Sequence, residues 1–356
     1  MKLRRIPASW MVPVVAIAAA VLVLNLLSFA FGGAPLTVLA SAVRGSWGTA
    51  YGIGQVLFKA TPLLFAGIAV DLALRAGMFN IGVEGQIAVG SLVGAIVAIH
   101  MPAALPGVMA VLLVLACAGG AGAAWAAVPG VMRAKLGVHE VITTIMLNRI
   151  AEALVALVMT SMLALPGTTR TADIARSTLI PRLDRFLPSL SGSAGSLAIV
   201  IALATLAGVF VWLRRARTGR EVVWIGHNER ACEAQGVPVA RRRVLAMVLS
   251  GAIAAMAVSA TVLGYKGYFE IGLGAGVGFG GIAVAFLGRG SPVGLVLAAL
   301  LFGTLEQAGL SINATVPREA MGVLEAVVIV AVALADRAAR REAREVAVPA
   351  EPGGGA

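Results

Sequence analysis

The segment 75–86, RAGMFNIGVEGQ, places one basic, one acidic and two amide side chains among three glycines, immediately before an apolar run. Asn80, Glu84 and Gln86 offer hydrogen-bond donors and acceptors, and Glu84 can also carry a proton. A carboxylate in the first turn of a helix interacts favourably with the helix dipole, so these side chains could cap the helix that follows. Alternatively they could contact a polar solute inside a membrane; the residues alone favour the helix cap slightly and leave both interpretations open.

Apolar segments further along the chain carry two more polar side chains suited to lining a pathway, Asn148 and Glu306. Arg149 and Glu152 follow Asn148 and are three residues apart, a spacing at which they can neutralise each other on one helix face. Ionisable side chains within a membrane are costly and usually face the bundle interior or a cavity, so packing would explain the same residues equally well. The predicted substrate-pathway residues are Asn80, Glu84, Gln86, Asn148 and Glu306.

The composition predicts a membrane environment for these groups. Apolar residues make up 59% of the 356 residues and charged residues 13%, and the mean hydropathy is +0.94. These values lie far from those of soluble domains, and the 43 glycines suit close helix packing in lipid. A hydropathy window of about 19 residues predicts an all-α polytopic protein with ten membrane-spanning helices. The predicted spans are 10–31, 55–74, 81–100, 107–131, 140–164, 197–213, 244–263, 273–288, 292–310 and 319–335.

The basic residues predict the orientation. If the amino terminus is inside, most lysines and arginines fall on cytoplasmic segments, which supports cytoplasmic termini at both ends. The net charge of +11 belongs to loops that flank the membrane, without interleaved aromatic residues. We therefore expect a lipid membrane around the chain and no nucleic-acid partner.

An internal repeat supplies the predicted architecture. The segment 82–92, GVEGQIAVGSL, aligns with 277–287, VGFGGIAVAFL, at five identical positions. The two copies fall in the third and eighth spans, which run in opposite directions, as in transporters with inverted repeats. Spans two to five would then correspond to spans seven to ten, with the substrate near the bilayer midplane.

The predicted organisation divides the chain into seven parts. Two repeats form the membrane core, and a charged loop between them faces the cytoplasm. The parts are an amino-terminal anchor and external loop (1–54), the first repeat (55–164), an external loop (165–196), a linking helix (197–213), a cytoplasmic coupling loop (214–243), the second repeat (244–335) and a cytoplasmic tail (336–356).

No enzymatic motif is evident in the sequence. The three histidines are scattered, and there is neither a Cys/His cluster with ligand spacing nor a G-x-x-x-x-G-K-[ST] loop, so we expect no catalytic residue, metal or cofactor in this chain. If transport is driven by ATP, the ATPase is a separate protein. The coupling loop then matters: it predicts a turn at 226–228, a short helix at 229–235 and a stop at 236–238. An ordinary solvated connector remains the alternative.

The sequence resembles the permeases of bacterial ABC importers of the branched-chain amino acid, ribose and nucleoside group, and most closely the nucleoside and simple-sugar branch. Four segments carry the resemblance: AGMFNIGVEGQ (76–86), GVHEVITTIMLN (137–148), WIGHNERACEAQGV (224–237) and GFGGIAVAFLGRGSPVG (278–294). The third is similar to the segment that couples these permeases to their ATPase, although His227 departs from the usual residue before the asparagine. The coupling residues that the resemblance implies are Gly226, Asn228, Arg230, Glu233 and Gly236.

The resemblance implies a permease subunit in the bacterial cell membrane that forms a path for nucleosides by alternating access. It also implies an ATPase that uses ATP and magnesium, a second permease subunit in a heterodimer, and an extracytoplasmic substrate-binding lipoprotein. Two alternatives remain. One is a permease of the same class for a simple sugar or a branched-chain amino acid; the other is an ion-coupled secondary transporter in which Glu84 or Glu306 carries the proton.

Overall fold

The computed structural model describes residues 8–317, 320–324, 326–332 and 334–335, which form helices joined by turns and loops. No strand occurs in these ranges; the extended pairings are two isolated bridges, Arg170 with Glu270 and Arg182 with Ser196. The all-α fold class is therefore confirmed for the described residues. The predicted tail, 336–356, lies outside them.

The α-helices are numbered along the chain. π-helical turns, in which hydrogen bonds join residues i and i+5, continue α6 at Met159–Leu163 and α10 at Ser259–Lys266, and a last helical stretch covers the described residues of 320–335. The helices are α1 (Ala8–Ala30), α2 (Pro35–Trp47), α3 (Ala50–Arg75), α4 (Val83–Ile99), α5 (Gly107–Leu136), α6 (Glu140–Val158), α7 (Ala198–Arg215), α8 (Arg217–His227), α9 (Glu229–Ala234), α10 (Val239–Ala255), α11 (Val277–Gly288) and α12 (Pro292–Ser311).

Six of the described helices are long and apolar enough to cross a membrane: α3, α5, α6, α7, α10 and α12, with α6 and α10 counted together with their π-helical turns. Four shorter apolar helices cover 14–30, 83–99, 277–288 and 320–332. At 1.5 Å per residue, α4 and α11 measure about 25 and 18 Å, less than the roughly 30 Å of a hydrocarbon core. Both are therefore half-helices entered through non-helical backbone.

The sequence predicts no helix between the first two spans, 10–31 and 55–74, and this prediction is wrong over most of the intervening residues. Residues 35–47 form α2, because Pro35 occupies its first position and the following residues, LTVLASAVRGSW, alternate between an apolar and a polar helix face. α3 then begins at Ala50, five residues earlier than predicted. The Thr49 side chain caps it by accepting a hydrogen bond of 3.0 Å from the Gly52 amide.

The chain forms two compact units. The larger contains residues 46–304, with the buried helix α3 packed against α10 and α11, and with α4 packed against α5, α6 and α10. Glycines permit these close approaches. A Cβ atom on Gly122 of α5 would overlap the Gly251 carbonyl oxygen of α10, and one on Gly281 of α11 would overlap Ala66 of α3. In lipid, hydrophobic burial contributes little to the association of helices. Helices therefore associate through close packing, which small residues at the crossing points allow.

The segment 165–196 belongs to the larger unit. It lies along the end of the π-helical turn of α10, Ser259–Lys266, and along the loop that follows this turn. The Ile180 amide donates to the Leu263 carbonyl oxygen at 2.9 Å, and the Thr171 amide donates to that of Phe269 at 2.9 Å. The Phe269 amide in turn donates to the Thr171 hydroxyl at 3.1 Å. These bonds fix the backbone that precedes α11.

The second unit contains residues 1–45 and 305–356, of which α1, most of α2, the end of α12 and the last helical stretch are described. Within it, the Gln307 amide donates to the Gly45 carbonyl oxygen at 3.5 Å, and Gly309 packs closely on Met321. Glu306 is half-buried in this unit.

Candidate functional site

The site begins at the break between α3 and α4. α3 ends in a Schellman motif, in which the Gly77 amide bonds to the Leu74 carbonyl oxygen and the Met78 amide to that of Ala73, both at 3.0 Å. Gly77 adopts φ +69°, a left-handed conformation that glycine reaches without a steric penalty. The chain then continues without helical structure to Gly82, and α4 starts at the next residue.

Asn80 and Gln86 hold this non-helical segment from inside the bundle. Asn80 is fully buried; its amide nitrogen donates to the Gln86 carbonyl oxygen at 2.9 Å and to the Ser250 hydroxyl at 2.8 Å. Its own oxygen accepts from the Gln86 side chain and from the Gly82 amide, each at 3.0 Å. The Ser250 hydroxyl in turn donates a hydrogen bond to the Ala69 carbonyl oxygen at 2.6 Å. All four hydrogen-bonding positions of Asn80 are thus occupied by protein.

Helix α6 also holds this segment, together with the first turn of α4. The Asn148 oxygen accepts from the Gly85 amide, and its nitrogen donates to the Ile81 carbonyl oxygen, both at 3.0 Å. Glu140, buried in the first turn of α6, accepts from the Phe79 amide at 3.2 Å. Asn148 therefore satisfies one of the amide groups that the first turn of α4 leaves without a helical partner.

Glu84 joins the two half-helices. One carboxylate oxygen accepts from the Gly276 amide at 2.6 Å and the other from the Gly278 amide at 2.7 Å, so Glu84 caps α11 while it lies in the first turn of α4. Gly276 precedes α11 with φ +86°. A Cβ atom on Gly278 would overlap the Glu84 backbone, so glycine is required there. The carboxylate thus sits where two positive helix ends converge.

A cavity of about 580 Å³ opens beside Glu84, between α4, α6 and the start of α11. Most of its wall is apolar, and three phenylalanines contribute rings to it: Phe79, Phe269 and Phe279. Backbone of 271–275 forms another part of the wall, with Gly272 and Gly274 at φ +86° and +87°. An apolar pocket with a few converging polar groups is the usual form of a small-molecule site. The polar side chains of the wall are Glu84, Asn148, Arg149 and Glu152.

The structure separates the five predicted pathway residues into three groups. Glu84 and Asn148 line the cavity, and each also bonds to backbone of a half-helix. Asn80 and Gln86 lie behind its wall, bonded to each other. Glu306 belongs to the other compact unit.

The ion pair expected next to Asn148 is confirmed: Arg149 and Glu152 approach to 3.1 Å, and their side chains are 79% and 72% exposed. Sequence reasoning missed two contributors to the site. Glu140 had a visible signal, an acidic residue in the first turn of an apolar helix. Ser250 had none, because a serine in an apolar helix is unremarkable until its partner is known.

The coupling segment, residues 226–236, is a short capped helix with its flanks. The Asn228 side chain caps α9 by accepting from the Ala231 amide at 3.1 Å. Gly236, at φ +75°, ends it in a second Schellman motif, and Val237 packs on the buried residues Ile225 and Cys232. The predicted helix and its stop are confirmed. The predicted turn at 226–228 is wrong in part, because α8 continues to His227 and only Asn228 leaves the helix.

Charged side chains are exposed on this segment, and one aromatic side chain is exposed beside it. Arg230 and Glu233 are exposed, and the Trp224 side chain of α8 is 50% exposed. Behind it, Glu221 is buried between Arg242 and Arg217, and the hydrogen bond from Arg242, helped by the one from Arg217 at 2.9 Å, holds the pKa of Glu221 below its ordinary value. The ion pair of Glu221 with Arg242 holds α8 against α10, and the outer face beside it is polar.

Comparison with known proteins identifies the class of this arrangement. Residues 52–333 match the family described as branched-chain amino acid transport system, permease component. The chain is 36% identical to the guanosine ABC transporter permease protein NupP of Bacillus subtilis, over 82% of this chain and 83% of that one. It is 34% identical to the glucose ABC transporter permease protein TsgB13 of Haloferax volcanii, over 78% and 75%.

A third relative is the nucleoside ABC transporter permease protein NupB of Lactococcus lactis subsp. cremoris, 29% identical over 91% of this chain and 90% of that one. The family match covers most of the chain, including every residue of the cavity and of the coupling segment. The apolar helices that it contains are those of a multi-pass protein of the bacterial inner membrane. The chain therefore belongs to the permease components of the branched-chain amino acid transport family of ABC transporters.

Proposed function

We propose that this permease forms the translocation path for a nucleoside in an ATP-driven importer. The observation that carries the proposal is the cavity beside Glu84, where two half-helices meet at their amino termini. Discontinuous helices with their ends at the substrate site are typical of transporters built from inverted repeats.

The cavity wall favours a nucleoside over a simple sugar. Three phenylalanine rings supply flat apolar surface for a base, while the side chains of Glu84, Asn148 and Glu152 can bond to hydroxyl or amine groups. Guanosine and nucleoside permeases among the relatives support this choice. The second candidate is a simple sugar, which the glucose permease of Haloferax volcanii favours.

We propose ten spans with both termini in the cytoplasm, arranged as two inverted repeats. The packing of the half-helices supports this arrangement, since α11 packs on α3, and α4 packs on α10 as well as on α5 and α6, so that each half-helix contacts a helix of the other repeat. Such contacts allow the repeats to rock about a shared site. Alternating access then requires no chemistry in this chain and no cofactor; ATP and magnesium are used by the partner ATPase.

We infer the partner proteins from the exposed surfaces of this chain. The ATPase docks on the coupling segment and the adjoining end of α8, where Trp224 offers an aromatic anchor beside the exposed charges of Arg230 and Glu233. A second permease, different from this one, packs beside α6 and covers the open edge of the cavity wall, where the exposed Arg149–Glu152 pair would otherwise meet lipid. A substrate-binding lipoprotein delivers the nucleoside from outside.

The test is uptake by proteoliposomes that contain this chain with its ATPase and second permease, supplied with binding protein and labelled guanosine, glucose or leucine. We expect uptake of guanosine that depends on ATP and is unaffected by an uncoupler. Preferred uptake of glucose would support the second candidate, and that of leucine would contradict both. Uptake without ATP that an uncoupler abolishes would establish the secondary transporter with Glu84 or Glu306 as proton carrier.

A further inference from the structure

The coupling segment contacts the backbone that leads into the cavity. Gly226, near the end of α8, lies against the last turn of α3: a Cβ atom on Gly226 would overlap the Arg75 carbonyl oxygen and lie 3.3 Å from the Gly77 amide nitrogen. Gly77 is the second residue of the non-helical segment 76–82. A movement of α8 toward α3 is therefore delivered directly to the entrance of α4.

The point that Gly226 touches is also tied to the other half-helix. The Arg75 side chain bonds to Asp71 at 2.7 Å and donates to the Gly290 carbonyl oxygen, just after α11 ends. Its guanidinium also lies 4.8 Å from the centre of the Phe210 ring of α7. Because packed side chains resist deformation, displacement of this turn reaches both half-helices.

A second connection runs through α10. Arg243 binds both carboxylate oxygens of Glu229 in α9, at 2.6 and 2.9 Å. Seven residues further along α10, which is two helical turns or about 10 Å, Ser250 bonds to Asn80 at 2.8 Å. The same helix thus holds the coupling helix at one end and the brace of the segment 76–82 at the other.

We propose that Gly226 and the Glu229–Arg243 pair are positioning residues that transmit movement of the coupling segment to the segment 76–82, and from there to the cavity. The inference rests on the proposed function, because it needs an ATPase that pushes on residues 226–236. α9 is suited to the task, since it is capped at both ends and its flank is packed on Ile225. A short capped helix moves as a body instead of absorbing the push.

The first test is Gly226→Ala in the assembled transporter, with the number of ATP molecules hydrolysed per guanosine imported as the readout. The added methyl group separates α8 from α3, and we expect this ratio to rise about tenfold. Gly208→Ala is the benign control, because a Cβ atom on Gly208 meets no atom within 4 Å. Gly219→Ala is the steric control: its methyl group overlaps the Trp212 carbonyl oxygen, at the far end of α8. An unchanged ratio in Gly226→Ala, or an equal rise in Gly219→Ala, would overturn the proposal.

The second test exchanges the charges of the pair. Glu229→Arg and Arg243→Glu should each raise the ratio of ATP to guanosine, and the double variant should return it to within about twofold of the original, as expected for a directly coupled pair. Assembly is measured by size-exclusion chromatography for all variants. Singles that keep the original ratio, or a double variant that assembles without recovery, would contradict the role of the pair. If the unmodified transporter imports guanosine without ATP, the proposed function itself fails; normal coupling with unaffected variants defeats only this inference.

Discussion

The two half-helices begin in different ways, although their sequences align. The start of α4 is held by neutral amide side chains, Asn80 from its own approach segment and Asn148 from α6. The start of α11 follows three glycines with positive φ and is held by one charged side chain, Glu84, which belongs to α4. The difference teaches that the two helix starts are not equivalent, although both half-helices pack into the bundle: the start of α4 is held by neutral side chains from two elements, whereas the start of α11 is capped by one charged side chain.

The largest effect is expected from removing that charged cap. Glu84→Gln removes the charge and replaces one acceptor by a donor, which faces an amide that needs an acceptor. Hydrogen bonds to charged groups contribute about 1.5–3 kcal/mol each, so ATP-dependent uptake should fall more than tenfold in an assembled transporter. Uptake by reconstituted vesicles measures it, with Glu84→Asp, which keeps the charge, as the control. Full activity in Glu84→Gln would show that α11 needs no charged cap.

The second largest loss of uptake is expected from a change at the start of α4. Asn148→Ala leaves the Gly85 amide and the Ile81 carbonyl group without their partner, at about 1–3 kcal/mol for each buried group. Because Asn80 still holds the segment, we expect uptake to fall severalfold, less than in Glu84→Gln. The matched control is Thr160→Ala in the π-helical turn of α6, whose hydroxyl bonds only to backbone of its own helix. A larger loss than in Glu84→Gln would reverse the comparison.

A smaller effect should follow from loss of the Ser250 hydroxyl. Ser250→Ala deletes the bonds to Asn80 and to the Ala69 carbonyl oxygen, but Asn80 keeps its bonds to Gln86 and Gly82. We expect a melting temperature lower by about 4 °C, with the apparent affinity for guanosine unchanged. Thermal unfolding of the purified protein measures the first quantity and uptake kinetics the second. A changed affinity would mean that the brace also shapes the cavity.

The smallest effect concerns the glycine loop before α11. A methyl group on Gly272 meets no atom within 4 Å, so Gly272→Ala introduces only the strain of φ +86°, about 1–2 kcal/mol. The melting temperature should fall by about 2 °C and uptake should change less than twofold. Gly120→Ala, also in open space but in the middle of α5, is the control and should stabilise the protein slightly or not at all. A severe loss of uptake would indicate that the loop must change its conformation during transport.

Local sequence patterns predicted the apolar helices and the capped helix α9, because apolar runs, cap residues and glycine stops act over a few residues. They failed for α2, because this amphipathic helix of 13 residues is too short and too polar to be detected as a membrane span. They also could not show that Glu84 caps α11, since its partners lie 192 and 194 residues away. The motif 76–86 was recognisable as a unit. The role of each residue within it, however, depends on hydrogen-bond partners from α6 and α10, which no local pattern reveals.

The exposed ion pair of α6 has a consequence for the life of the protein before assembly. Arg149 and Glu152 sit within a helix apolar enough to span the membrane, and both side chains are mostly exposed on its surface. The pair lies at the edge of the cavity wall, and in a newly inserted copy any lipid that reaches this edge meets both charges, which raises the free energy of that copy until another subunit or water surrounds them. The pair thereby marks an unassembled copy, and we expect membrane proteases to remove such copies faster than assembled ones, which would keep subunit numbers matched.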